Sequence, residues 1–121
     1  MGKVDTKDRL SSGDMMQEVI INILYWIDLN IYEPLNVKDV SRRSGYSHWY
    51  FQRRFSEIYG ISLGQYIRQK KMILAASLLT ETNLPVNKIM QRLGYNDYVT
   101  FARIFQRQYK ISPTKYREIF I

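Results

Sequence analysis

The sequence predicts an all-α fold of about seven helices, built as two helix-turn-helix subdomains joined by a long linker helix. No stretch of its 121 residues alternates apolar and polar side chains as a half-buried strand would. Short helical patterns instead begin behind Ser or Asn and stop at Gly45, Gly60 and Gly94, the usual signals for helix starts and ends. The chain also repeats itself. Leu35, Val37, Arg43, Gly45 and Tyr46 recur 49 residues later as Leu84, Val86, Arg92, Gly94 and Tyr95. One extra residue in the second copy moves the offset to 50. Phe51, Arg53, Phe55, Tyr59, Ile61, Ser62 and Tyr66 then recur as Phe101, Arg103, Phe105, Tyr109, Ile111, Ser112 and Tyr116. Twelve matches in about 32 aligned positions describe two copies of one small helical unit.

Taken in order, residues 1–14 mix charges with Ser11-Ser12-Gly13 and show no periodicity, so they read as a disordered N-terminal arm. Residues 15–121 read as one folded domain. Asp14 is expected to cap the first helix, with Gln17 at its third position and Val19, Ile20, Ile23, Leu24 and Ile27 on one core-facing stripe. That helix should end near residues 30–33, ahead of Pro34. The first helix-turn-helix, about 37–59, follows: Asn36 caps a short helix that stops at Gly45, and Ser47 caps a second that Gly60 terminates. Ser62 opens the linker helix, about 63–82. The second helix-turn-helix, about 86–110, repeats the pattern, with Pro85 before a short helix, Gly94 at the turn and Asn96 as the next cap. Ser112-Pro113 opens a last helix.

Projecting the second helix of each copy at 100° per residue separates two faces. In the first, Phe51, Phe55, Ile58 and Tyr59 cluster on the side expected to be buried, and Trp49, Gln52, Arg53 and Ser56 fall opposite. An exposed Trp beside Gln and Arg suits a DNA major groove. Arg can bind guanine bidentately, Gln can bind adenine, and an indole can pack on a thymine methyl. In the second copy Phe101, Ile104, Phe105 and Tyr109 should be buried, leaving Val99, Arg103, Gln106, Arg107 and Lys110 exposed. Tyr98 and Thr100 stand in the first turn, where recognition helices meet base edges. Trp49, Gln52, Arg53, Tyr98, Val99 and Arg103 are therefore candidate base contacts. Arg43, Ser47, His48, Ser56, Arg68, Lys71, Thr100, Gln106, Arg107 and Lys110 are candidate backbone or supporting contacts.

The linker carries Leu63, Ile67, Leu74 and Leu78 on one side and Met72, Ala76 and Leu79 nearly opposite, as a helix packed between two lobes would. Its length of roughly 30 Å is close to the ~34 Å spacing of successive major grooves. Charge agrees with such a partner. Residues 1–39 carry four Lys or Arg against seven Asp or Glu, and residues 40–121 carry fourteen against four, so the net +7 is concentrated in the repeat-bearing region. Catalysis has few parts here. With one His and no Cys, neither a metal cluster nor a Ser/His or Cys/His nucleophile can be assembled, and no Gly-rich phosphate loop is present. No enzyme activity and no cofactor are expected. No apolar run approaches the ~20 residues of a membrane helix. The N-terminus lacks the apolar core of a secretory leader, so secretion is not expected, and the absence of Cys fits a cytoplasmic protein. Met1 favours a complete small protein over the detached C-terminal domain of a larger regulator.

The string Ser44-Gly45-Tyr46-Ser47-His48-Trp49-Tyr50-Phe51-Gln52-Arg53-Arg54-Phe55 resembles the AraC/XylS family of bacterial transcription regulators, and Ser62-Leu63-Gly64-Gln65-Tyr66-Ile67-Arg68 does too. It is most similar to the subgroup of small activators of the MarA, SoxS, Rob and RamA type. Gly94-Tyr95-Asn96-Asp97, Phe101-Ala102-Arg103-Ile104-Phe105 and Ser112-Pro113-Thr114-Lys115-Tyr116-Arg117 fit the broader family signature. The resemblance implies a monomer that binds an asymmetric, degenerate double-stranded DNA site of about 20 base pairs through two major-groove helices. It also implies direct recruitment of RNA polymerase at stress, efflux and multidrug-resistance promoters. Trp49, Gln52 and Arg53 would be base contacts of the first helix, Arg103 of the second, and Arg68 a backbone clamp. The chain departs from the subgroup at Tyr98 and Val99, where polar Gln residues are usual. A helical adaptor that binds the transcription machinery and touches DNA only non-specifically is the competing reading.

Overall fold

The structure, a computed structural model, describes residues 12–121. Among them are seven helices and no strand: α1 Ser12–Leu29, α2 Val37–Arg42, α3 His48–Tyr59, α4 Leu63–Glu81, α5 Val86–Arg92, α6 Tyr98–Tyr109 and α7 Pro113–Phe120. None is long and apolar enough to cross a membrane. The helix α1 starts at Ser12, so Asp14 lies inside it and is not its cap. A single early glycine, Gly13, costs a helix only ~1 kcal/mol, which the amphipathic run behind it offsets. The rest of the expected N-terminal arm lies outside the described residues.

The chain divides into two compact units. The first joins α1 to residues 36–63, and the second joins residues 30–35 to residues 64–121, so α4 belongs to the second apart from Leu63. In the first unit α1 buries Met16, Ile20, Ile23 and Ile27 at helical spacing, with Val19 and Leu24 half-buried beside them. The helix α2 buries Val40, and α3 buries Phe51 and Phe55, whose rings lie 6.2 Å apart. Tyr59 departs from the expected burial. It stacks on Phe55 at 5.0 Å yet stays 44% exposed, because its ring lies over the rim of the core.

In the second unit Met72, Ala75, Ala76 and Leu79 of α4 form one core with Ile89, Met90, Leu93, Phe101 and Phe105. Tyr116 of α7 meets Phe105 edge-on at 5.4 Å. Arg117 donates to the carbonyls of Leu79 (2.9 Å) and Thr82 (3.3 Å), placing a cation at the carbonyl end of α4 where the helix dipole favours it.

The sequence repeat is a repeat of geometry. Phe101 and Phe105 lie 6.3 Å apart, and Tyr109 stacks on Phe105 at 4.8 Å, as Tyr59 does on Phe55. Gly45 and Gly94 hold the two turns at φ of 82° and 87°. The second recognition-type helix is capped by Asp97, one residue beyond the expected Asn96. The Asp97 carboxylate accepts from both the amide and the hydroxyl of Thr100, and Ser47 accepts the Tyr50 amide in the same way in the first copy. The extra residue of the second copy therefore sits inside its turn, between Gly94 and Asp97. From the cap onward the offset is already 50, pairing His48 with Tyr98 and Trp49 with Val99.

Candidate nucleic-acid interface

On α3 the expected reading face is present and partly pre-arranged. Trp49 is 67% exposed, and the Arg53 guanidinium lies over its ring at 4.7 Å from the centroid, with Tyr50 at 5.8 Å. Glu57 sits 3.9 Å from Arg53 and pairs more tightly with Arg54, at 2.7 Å, a bond that raises the Arg54 pKa above its ordinary value. Arg53 is thus steered by a flat ring below it and a weakly held carboxylate beside it, with donors left for a ligand. Gln52 is half-buried and bonded to His48, Nε2 to Nε2, at 3.1 Å. Ser56 is half-buried, and the Ser47 hydroxyl is engaged with the Tyr50 amide at 3.1 Å. Arg43 is exposed, with its guanidinium 4.2 Å over Trp26 of α1.

Two further cations of this unit escaped the sequence reading. Lys38 and Arg42 line an open concavity of about 250 Å³ with Tyr46, Ser47 and His48, at the mouth of the first turn. Their spacing of four residues on α2 was the available signal, since it puts both on one helix face. Arg42 is itself tied to Asp39 at 2.9 Å.

On α6, Tyr98 is 41% and Val99 60% exposed at the helix start, and Arg103, Gln106, Arg107 and Lys110 are exposed further along. Thr100 is half-buried, its hydroxyl given to Asp97. That hydroxyl and the Thr100 amide hold the Asp97 carboxyl below its ordinary pKa. Arg68 of α4 and Arg107 of α6 line one open concavity of about 280 Å³ with Gln65, Gln69, Ile104 and Gln108. Gln69 and Gln108 were not singled out by sequence. The Gln108 amide donates to the Gln69 carbonyl at 3.4 Å.

Lys71 corrects the expectation of a phosphate contact. It is only 4% exposed, and its ammonium donates to the backbone carbonyls of Glu33 (2.7 Å) and Leu93. A lysine spent on internal carbonyls cannot reach a DNA backbone. The signal was in the sequence: Lys71 stands one turn from Ile67 and one turn from Ala75, on the stripe that α4 buries.

Two short helix pairs, each bent at a positive-φ glycine and each ending in a helix with an arginine-bearing exposed face, define a double helix-turn-helix protein. Comparison with known proteins agrees. A family model described as a helix-turn-helix domain matches residues 40–119. The chain is 44% identical over 101 residues to the regulatory protein SoxS of Escherichia coli, covering 84% of this chain and 94% of SoxS. It is likewise 44% identical over 98 residues to the multiple antibiotic resistance protein MarA of Salmonella typhimurium, covering 81% and 77%. Among solved structures, the C-terminal domain of the Geobacillus stearothermophilus response regulator AraT superposes with a TM-score of 0.79 at 27% identity, over 92% of this chain and 88% of that one. The DNA-binding domain of the transcriptional factor AdpA, solved with a target DNA, gives 0.78 at 25% identity, over 83% and 90%. The chain belongs to the AraC-type helix-turn-helix family and is a DNA-binding transcription activator, not an enzyme.

Proposed function

We propose that the protein reads an asymmetric duplex site of about 20 base pairs as a monomer, placing α3 and α6 in successive major grooves. The observation that carries this is the duplication itself, with Arg53 and Arg103 at equivalent, exposed positions of two helices that each follow a glycine turn. Trp49, Gln52 and Arg53 read bases in the first segment. In the second, Arg103 reads a base while Tyr98 and Val99 offer a ring and a methyl surface that favour thymine contact over a bidentate polar one. Arg43, Ser47, His48, Ser56, Lys38 and Arg42 support the first helix at phosphates. Arg68, Thr100, Gln106, Arg107 and Lys110 support the second. Two of the relatives point further, the one named for regulation and the other for multiple antibiotic resistance. In keeping with them, the bound protein recruits RNA polymerase in the bacterial cytoplasm at stress or resistance promoters.

Selection of duplexes from a random pool near physiological salt tests the reading. One asymmetric motif with two conserved segments about a turn apart is expected. An inverted repeat would show a dimer using one head per subunit, and no enrichment would favour an adaptor with only non-specific affinity.

A further inference from the structure

The one lysine of the buried α4 stripe lies beneath the turn that precedes α6. Ile67, Lys71 and Ala75 follow at one-turn steps, and all three are buried. From there the Lys71 ammonium donates to the carbonyl of Leu93, the residue that caps the C-terminal end of α5, and to the carbonyl of Glu33, and it faces the Tyr95 ring at 5.8 Å. Leu93, Gly94 and Tyr95 are the turn of the second helix-turn-helix. A side chain at Gly94 would meet the Lys71 ammonium and the backbone of Pro34, each at 3.1 Å, so the turn is closed over the ammonium. At the equivalent position of the first copy, Gly45, an added side chain would meet nothing within 4 Å.

A buried ammonium persists only where carbonyls replace its water, and charge-assisted bonds to carbonyls are stronger than neutral ones. The clasp is therefore a fixed point for a turn that contains one residue more than its counterpart. We propose that Lys71 is a positioning residue of the second recognition helix. By holding the Leu93 and Glu33 carbonyls on one ammonium, it fixes how α6 leaves its turn and hence how Tyr98, Val99 and Arg103 are presented. The role rests on the reading of α6 as a DNA-reading helix. Burial of the ammonium also pushes its pKa down to about 8, against the opposing charge of Glu33, which gives a second way to perturb it without substitution.

The test compares the unmodified protein with Lys71→Met in two readouts. Without DNA, amide resonances of residues 93–100 should move in the variant while those of residues 44–50 stay in place. The same 93–95 resonances in the unmodified protein should move as Lys71 titrates. With DNA, the variant should lose about tenfold in affinity for the full selected site, the scale of a mis-set base contact. It should lose nothing for a site whose second segment is scrambled, and its salt dependence should not change. Static 93–100 amides, or an equal loss on both duplexes with a salt slope lower by about one, overturns the proposal. The scrambled site also reports folding of the first unit, and the titration needs no variant to fold. Since the amide readout is free of DNA, its failure sinks the clasp. Absence of any second-segment preference in the unmodified protein sinks the reading of α6 instead.

Discussion

Alanine at Gly45 and alanine at Gly94 make one chemical change in two surroundings. Both glycines hold φ above 80°, where a Cβ crowds the following carbonyl and costs an L-residue about 1–2 kcal/mol. Lys110 shows that this fold accepts such a residue, since it occupies φ 75° at the end of α6, where Gly60 closes α3. At Gly45 nothing lies within 4 Å of the added methyl, so the backbone cost is the whole cost: Gly45→Ala should destabilise by ~1–2 kcal/mol. At Gly94 the methyl meets the Cα and N of Pro34 and the tip of Lys71, all at 3.1 Å. Proline backbone cannot swing aside, and the lysine tip is pinned by two carbonyls, so an overpacking term of about 1–3 kcal/mol is added. Gly94→Ala should thus cost ~2–5 kcal/mol in sum. Urea unfolding followed by circular dichroism, comparing midpoints at unchanged slope, measures both. Equal losses at the two sites would refute the close approach at the second turn.

Two further perturbations test the reading face and the buried charge. Arg53→Ala should cost ~1–3 kcal/mol at one base position of the first segment and relax the preference there; equal loss on selected and random duplexes would defeat the assignment. The Lys71 ammonium, at about 8 in the fold against 10.5 for an ordinary lysine, is harder to charge when folded. Its burial cost is present in full below pH 8. Between the two values the folded chain has released a proton that the unfolded chain still holds. Stability should therefore rise across that window, by at most ~1.4 kcal/mol per pH unit. Glu33 faces this ammonium and opposes the shift, and Tyr95, whose pKa burial raises, ends the rise above about pH 10 because its phenol ionises first in the unfolded chain. Unfolding midpoints against pH should show the rise in the unmodified protein and lack it in Lys71→Met.

The parts of the fold that sequence made legible are those that local chemistry decides. Asn36, Ser47 and Ser112 cap the helices they were expected to cap, because a short polar side chain ahead of a helical pattern has one good use. The paired phenylalanines of α3 and α6 repeat at four-residue spacing and pack alike, because identical spacing on identical helices presents the same face. Trp49, Arg53, Val99 and Arg103 stand on the exposed faces that helical projection assigns them.

The misreadings share a different origin. Asn96 and Asp97 are both good caps, and only the placement of one inserted residue within the turn chooses between them. Lys71 reads as a surface cation because lysine is almost always exposed unless paired, although its spacing from Ile67 and Ala75 places it on the buried stripe. Its partners are two backbone carbonyls, and backbone partners leave no mark in a sequence. The same applies to Gly94. Its positive φ was foreseeable from the turn, but the second reason for glycine there, the approach of Pro34 and the Lys71 ammonium, comes from residues 60 and 23 positions earlier in the chain. Duplication thus supplied two glycine turns alike in φ but one residue apart in length, and the close contacts at Gly94 come from residues outside the repeat. If the two heads differ in how firmly they hold their angle on DNA, the difference traces to those outside contacts and to the one inserted turn residue, not to the residues the two copies share.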